Sequence, residues 1–365
     1  MAGCLSERYK DDLQKELTEI DIFTGVGDYD KIDRLVHEKR SSFSNEVFLA
    51  SEENDRVITG SNYHAYVKLS EGCNQSCSFC AIPSFKGKLH SRTLESLVKE
   101  VTNLVKKGYK DFSFVSQDSS SYLRDLGHND GLEQLIDAVE KIDGVKTARI
   151  LYLYPSTTTL NLIDKIADSK VFVNYFDMPL QHISQNMLKI MKRGKGAEKL
   201  IELMNYMRSK PNSFVRTTFI AGHPGESEED FEELCSFVEE FGFDRGNVFS
   251  YSDEEGTSAE TRDDKIEQEL IDERAEILGD IISQTTIKSL ENDIGKSFEV
   301  YIDGESEEHE YLLSARKTIW APQIDGEIYI NDNEGNLPIV FGEIYEVEAT
   351  QLAGDKLLAK IIRKV

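Results

Sequence analysis

Apolar and polar positions along this chain change rhythm twice. From His64 onward, short apolar runs alternate with stretches whose apolar residues recur at helical spacing. Residues 64–69, 111–116, 147–154, 171–177, 214–221 and 243–251 read as six strands, being short runs rich in Val, Ile, Phe and Tyr and bounded by turn residues. Between the first two, Leu94, Leu97, Val98, Val101, Leu104 and Val105 form one helical face that ends at Gly108. Residues 132–142, 160–167, 185–191 and 197–209 read as further helices. Ser227, with Asp230 three residues on, makes a capping-box start for a face of Phe231, Leu234, Phe237, Val238 and Phe241. Strands alternating with helices predict parallel βαβ units, an α/β fold.

The flanks read differently. Before the alternation, residues 9–17 and 29–38 suggest helices, 20–23 a strand and 41–55 a polar linker. After it, 265–292 predicts a long charged helix. The rhythm then turns to short strands at 298–302, 311–313, 326–330, 345–351 and 356–364, punctuated by Gly304, Gly326, Gly335, Gly342 and Gly354. Five strands in so short a segment predict a small antiparallel barrel. The expected domains are 1–55, 56–294 and 295–365.

Composition narrows the function classes. With 39% hydrophobic and 30% charged residues, the chain suits a globular protein with a sizeable core. It has no apolar run of about 18 residues, so no membrane span is expected. The start, Met1-Ala2-Gly3-Cys4, lacks a basic segment leading into an apolar one and does not read as a signal peptide. Five cysteines, three of them clustered, argue against a disulfide framework and for a reducing, cytoplasmic setting. The net charge of −25 is spread along the chain. Such a surface repels phosphate backbones and attracts basic partners, so a nucleic-acid partner is not expected.

Cys73-Asn74-Gln75-Ser76-Cys77-Ser78-Phe79-Cys80 has the spacing Cys-x3-Cys-x2-Cys. Three thiolates so placed can wrap one compact metal centre. Structural zinc usually takes four protein ligands, and iron–sulfur clusters normally take four cysteines. Three, with no Cys/His pair nearby, suggest a cluster whose open iron binds a substrate or cofactor. A zinc knuckle or an irregular cysteine-rich loop is the alternative.

With Phe79 before its last cysteine, this run resembles the radical S-adenosylmethionine superfamily. The resemblance implies a [4Fe–4S] cluster on Cys73, Cys77 and Cys80 that chelates S-adenosylmethionine and splits it to a 5′-deoxyadenosyl radical. The electron would come from a small electron-donor protein. The resemblance also implies a partial, TIM-like (βα)6 barrel with its chemistry at the C-terminal strand ends.

Further stretches resemble the methylthiotransferases within that superfamily. They are Gly3-Cys4-Leu5-Ser6-Glu7-Arg8-Tyr9, the run from Ala81 to Lys88, Gln117-Asp118, Tyr152-Leu153-Tyr154-Pro155, the run from Asp177 to Ser184, Ile220-Ala221-Gly222-His223-Pro224-Gly225-Glu226, and the run from Tyr251 to Thr257. Cys4 matches the last of three cysteines that hold an auxiliary cluster in that family. The other two have no counterpart here, which implies either a late start, leaving a remnant of the N-terminal domain, or an absent auxiliary cluster. The last segment resembles a TRAM domain. TRAM domains commonly bind RNA, yet residues 296–365 carry 7 Lys and Arg against 14 Asp and Glu, a balance better suited to a basic protein.

The resemblance also assigns roles after each strand. Phe79, Gln117, Arg149, Gln181, Gly222 and Glu226 are the expected cofactor contacts. Gln117, or Asp118 in its place, would hold the methionine amino group. Arg149 would meet a cofactor carboxylate or a buried acid. Gln181 or Asp177 would reach the ribose or the substrate. The glycines of 220–226 let the backbone approach an adenine ring. Lys86, Lys88 and Arg92 would pair with carboxylates or sit solvated. His182 reads as structural, Cys235 as a small buried hydrophobe, and His223 stands where many relatives carry Phe. Two branches of the family fit, one acting on a modified adenosine of transfer RNA, the other on the β-carbon of an aspartate in the basic small-subunit ribosomal protein twelve. The strand-end motifs and the acidic balance favour the protein-modifying branch. A non-enzymatic cluster- or zinc-binding module is the third reading.

Overall fold

The computed structural model describes residues 1–54, 56–335 and 337–365. Asp55, at the boundary drawn between the first two domains, and Asn336 lie outside the described residues. Six strands form the core: β1 (His64–Lys68), β2 (Asp111–Val115), β3 (Thr147–Ile150), β4 (Tyr175–Asp177), β5 (Phe214–Ala221) and β6 (Arg245–Ser250). Each pairs in parallel with its neighbour in sequence, in two triplets, β1-β2-β3 and β4-β5-β6. A parallel bridge between Ala148 and Phe172 joins the triplets into one open (βα)6 arc. β2 and β3 are buried nearly throughout, as parallel strands covered on both faces are, and their polar residues Asp111, Ser113, Thr147 and Arg149 bond to one another.

Helices cover the outside of the arc. Thr93 caps Leu94–Lys106 by accepting from the Ser96 amide, and that helix buries Leu97, Val101 and Leu104. Ser227 and Asp230 form a full capping box for Glu228–Phe241, which buries Phe231, Leu234 and Val238. Gln268–Glu291 runs beside β6 and buries Ile271, Leu278 and Ile282.

Two strands are shorter than their sequence runs. The third stops at Ile150 rather than 154, and the fourth begins at Tyr175 rather than 171. Tyr152 takes φ +61°, a left-handed conformation that no ladder accommodates. The run 20–23 forms no strand; only Thr24 makes isolated bridges, to Ala2 and Ser42. Three short segments meet there at single residues. The helix read at 29–38 is split into a 3-10 turn, Val26–Lys31, and an α-helix, Ile32–Glu38.

The C-terminal segment closes into a five-stranded barrel of β7 (Ser297–Glu305), β8 (Leu313–Lys317), β9 (Ile328–Asn333), β10 (Ile344–Ala353) and β11 (Lys356–Lys364). The strand expected at 311–313 lies at Leu313–Lys317 instead. One neighbouring pair, β9 with β11, is parallel, so the barrel is antiparallel only in its other pairs.

This barrel seats against the N-terminal ends of the core strands. Tyr63 stacks on Tyr301 at 5.2 Å, and Thr147 Oγ1 lies 2.8 Å from the Tyr301 hydroxyl. The Tyr66 hydroxyl donates to Pro322 O, and Arg245 Nε donates to Asp325 O. Beneath them Asp111 binds Arg149 at 2.8 Å and Arg316 at 2.6 Å. The floor of the core is thereby closed, and the C-terminal strand ends remain as its open mouth. Among the described residues, no helix is long and apolar enough to cross a membrane.

Candidate active site

The cysteine run leaves the end of β1 as an excursion tied at its base. Ser70–Glu71 pairs with His90–Ser91, Cys73 N donates to Gly87 O, and Leu89 N donates to the Asn74 side chain. Gly72 sits at φ +77°, and a Cβ there would lie 2.1 Å from Lys88 O, so the pinch requires glycine. Ser78 fixes the far side to three other loops. Its amide donates to Met191 O, its carbonyl accepts from Ala259 N, and its hydroxyl lies 2.9 Å from His223 Nε2. His223 Nδ1 faces Pro224 O at 2.9 Å, which makes Nδ1 the donor and leaves Nε2 to accept from Ser78. Burial holds the imidazole down at about 4, so it stays neutral.

So held, Cys73, Cys77 and Cys80 line one pocket of about 510 Å³ at the barrel mouth. Phe79, Ile82, Pro83 and Leu153 give it an apolar side; Gln117, Gln181, Arg193 and Arg216 give it a polar one. No aspartate or glutamate lines it, although the chain as a whole is strongly acidic. All three thiols are half-buried. Burial pushes the Cys73 thiol up to about 11 and raises Cys80 as well. Cys73 Sγ accepts from the Gln75 amide at 3.4 Å. Cys77 Sγ accepts from Arg193 Nη1 at 3.2 Å and faces the Tyr154 hydroxyl at 3.7 Å.

Two amides on the wall are half-satisfied. Gln117 donates to Glu71, which Lys86 holds at 2.8 Å, while its Oε1 is buried without a partner. Gln181 sits at φ +70°, and its Oε1 is likewise orphaned. A buried acceptor left unpaired costs about 1–3 kcal/mol, so both atoms await a donor. Three thiols beside two free acceptors fit a thiolate-held cluster and a ligand with an ammonium and hydroxyl groups. Among the described residues, no three His, Cys, Asp or Glu side chains converge tightly enough for a single metal ion.

Residues 67–238 match the Radical SAM superfamily, and residues 294–362 match the TRAM domain. Over its whole length the chain is 80% identical to the ribosomal protein uS12 methylthiotransferase RimO of Aliarcobacter butzleri strain RM4018, covering 82% of that protein. It is 63% identical to the protein of the same name from Sulfurovum sp. strain NBC37-1, again covering 82% of it. The chain belongs to the RimO methylthiotransferase family. Coproporphyrinogen III oxidase (HemN) from Escherichia coli, a radical SAM enzyme, shares the fold at a TM-score of 0.50 and 16% identity, over 64% of this chain and 57% of that one.

Against the RimO family's expected cofactor contacts, the pocket gathers Phe79, Gln117 and Gln181 with the cysteines. Arg149 is not among them. It is fully buried at the opposite end, donating to Asp111, Ser113, Thr318 O and Ile319 O. An arginine in an apolar strand did require an acid, and Asp111 on the neighbouring strand supplies it. Gly222 and Glu226 also lie outside the pocket lining. Gly222 (φ +80°) lets its loop approach Ile271, and Glu226 accepts from the Gly222 amide and from Arg274, both at 2.9 Å. Burial raises Glu226 to about 7 against the opposing pull of those two donors.

Lys86 pairs with Glu71, Arg92 with Glu100, and Lys88 is exposed; none lines the pocket. Asp177 holds the Tyr152 amide and Arg216, Asp118 holds the Gln75 side chain, and the His182 Nδ1 accepts from the amides of Ile183 and Ser184. Cys235 packs half-buried against the core. The exposed Cys4 begins a short helix, Cys4–Arg8, that packs on Ile82–Lys86 just after the cysteine loop. Arg193, Arg216, Thr218 and Asn247 are pocket residues to which sequence reading gave no role, and Tyr154 was read only as part of the run 152–155. The only signal for Arg193 was a basic loop, Lys192-Arg193-Gly194-Lys195, in which nothing marks which side chain turns inward.

Proposed function

We propose that this protein methylthiolates the β-carbon of an aspartate in ribosomal protein uS12. A cluster on Cys73, Cys77 and Cys80 would be the working centre, and domains at 1–55, 56–294 and 295–365 would frame it. The observation that carries the proposal is the meeting of those three thiols with the orphaned amide oxygens of Gln117 and Gln181 in one acid-free pocket. When bound, a [4Fe–4S] cluster with S-adenosylmethionine supplies hydrogen-atom abstraction, which an unactivated C–H needs because no side-chain base can remove its proton near neutral pH.

The chain's own residues do the rest. Gln117 Oε1 accepts from the cofactor ammonium, and Gln181 Oε1 accepts from a ribose or substrate donor. The half-buried Phe79, with Leu153 and Ile82, keeps bulk water from the reacting carbon. Arg193, a guanidinium on the pocket wall without a carboxylate partner among the described residues, sets a positive potential that suits an incoming carboxylate, whereas Arg216 is already held by Asp177. Ser78, braced by His223, holds the loop so that the thiols stay on one wall. Cys4 begins a helix that packs on Ile82–Lys86 just after the cysteine loop, and it matches one of the three cysteines that an auxiliary, sulfur-donating cluster would require. A ribosomal substrate supports a cytoplasmic setting, and a small electron-donor protein would supply the electron that the cluster needs.

The acidic chain suits a basic ribosomal protein and opposes transfer RNA. Anaerobic iron–sulfur reconstitution, followed by S-adenosylmethionine cleavage and mass spectrometry of uS12, tests the proposal. The expected result is 5′-deoxyadenosine together with a methylthio mass gain on one aspartate. Modification of transfer RNA with uS12 left unchanged would overturn it.

A further inference from the structure

Six arginines are buried in this chain: Arg92, Arg149, Arg193, Arg216, Arg274 and Arg316. Five of them pair with a carboxylate, namely Glu100, Asp111, Asp177, Glu226 and Asp111 respectively. Arg193 is the exception: only 4% exposed, it makes no ion pair with Asp or Glu among the described residues. Its Nη1 donates to Cys77 Sγ at 3.2 Å, its Nη2 donates to Pro179 O, and its Nε has no partner. The guanidinium lies over the Tyr154 ring, 4.4 Å from the centroid, and the hydroxyl of that ring faces the same sulfur at 3.7 Å. A buried cation without a counter-ion is costly, and the one group in contact that becomes anionic is the Cys77 thiol.

We propose that Arg193 is a positioning residue that acts through the Cys77 sulfur to raise the reduction potential of the cluster. The inference rests on the cluster assignment made above. Reduction brings one electron from a one-electron donor and moves no proton, so the cluster with its thiolates gains one negative charge. A fixed cation beside one sulfur stabilises that reduced form, because charge and hydrogen bonds at the sulfurs set such potentials. Cys73 receives only a backbone amide, so the three sulfurs are not equivalent and Cys77 carries the tuning. Tyr154 holds the guanidinium flat against its ring and so keeps it on the sulfur.

The test is a redox titration of the reconstituted full chain, following the reduced-cluster EPR signal with dithionite and mediators, for wild type, Arg193→Gln and Arg193→Lys. Arg193→Gln is expected to hold the same iron while its reduction equilibrium falls about tenfold, which is about 59 mV for one electron. Arg193→Lys, which keeps the charge but loses the fork, is expected between the two. An Arg193→Gln midpoint equal to wild type overturns the inference. If Arg193→Gln does not retain iron, Arg193→Lys decides: a lowered midpoint supports the role, and an unchanged one refutes it. Failure of the cluster assignment would show separately, as Cys77→Ala holding as much iron as wild type.

Discussion

At the N-terminal end of the core strands, Arg149 and Arg316 share Asp111, and each also donates to carbonyls of the C-terminal barrel. At the C-terminal end, Arg193 reaches a thiol and one carbonyl, and amide oxygens of Gln117 and Gln181 have no partner at all. Both ends bury charged groups in the same barrel. The floor gives its two guanidiniums an acid and holds the Asp111 carboxyl well below the usual carboxylate range, because they outweigh its burial, although Arg316 Nε and Asp325 Oδ1 there have no hydrogen-bond partner among the described residues. The mouth leaves its groups short of partners. Buried polar groups are normally paired, and among the described residues only the mouth's unpaired atoms line a pocket together with three thiols, which marks it as the end built to receive something.

The sharpest way to break this comparison is to exchange the consequences of mutation at the two ends. Cys73→Ala removes a half-buried thiol from the mouth. It is expected to abolish S-adenosylmethionine cleavage while thermal unfolding of the apo-protein stays within a few degrees of wild type. Retained cleavage would mean that the mouth does not hold the cluster. Asp111→Ala does the reverse. It leaves Arg149 and Arg316 buried without their acid, and stranding a buried charge costs about 3–5 kcal/mol. Denaturant titration should show that loss. A change below about 1 kcal/mol would mean that the floor is not the structural end.

The alternation of strand and helix was legible because parallel strands covered on both faces are short runs rich in apolar residues, as Phe112, Phe114 and Val115 make β2 and as Phe214, Val215, Phe219, Ile220 and Ala221 make β5. Strand ends were less so. The run from Thr147 looks extended as far as Tyr154, but Tyr152 is turned left-handed where its amide donates to Asp177, a partner brought by the next strand. That Cys73, Cys77 and Cys80 lie together was legible from their spacing, and that Gln117 and Gln181 lie at the same mouth from their places after strands. Arg149 was misplaced because a charge in an apolar strand announces that it needs a partner without saying at which end. That answer came from Asp111 and from Arg316, on a segment far away in sequence. Arg193 was missed for the opposite reason, since a loop with three basic residues in four positions looks like ordinary solvated surface.

Between the two extremes lies the loop after β5, where Glu226 sharpens the comparison through pH. Its folded carboxyl sits near about 7, above the ordinary 4.5. The folded chain therefore keeps a proton that the unfolded chain has already lost. The contribution of this group to stability is present below about 4.5 and falls as the pH rises towards about 7. Glu226→Gln cannot ionise and keeps one of the two acceptor oxygens that serve the Gly222 amide and Arg274. Melting temperatures from pH 5 to 8 should fall less steeply in the variant, by a difference of roughly 1–3 kcal/mol across the range. Parallel curves would mean that Arg274 already neutralises the carboxylate fully.

The finest distinction concerns Gln117, which belongs to both ways of treating a polar group. Its amide nitrogen is satisfied by Glu71, as on the floor, and its oxygen is orphaned, as at the mouth. If the oxygen is the functional half, removing the side chain should weaken the cofactor and cost the fold no more than the one hydrogen bond to Glu71, because the free protein gains nothing from the unpaired oxygen. Gln117→Ala is therefore expected to weaken S-adenosylmethionine binding about tenfold, the worth of one charge-assisted hydrogen bond of roughly 1.5 kcal/mol. Gln117→Glu places a carboxylate oxygen in the same position and adds a charge 3.2 Å from Glu71, where Lys86 and Lys68 are already engaged. It should keep part of the affinity at a cost in stability. Isothermal titration with the non-cleavable sulfonium analogue, run beside a melting curve, separates the two halves. A loss of stability in Gln117→Ala with unchanged affinity would move Gln117 to the structural side, and the mouth would then rest on Gln181 alone.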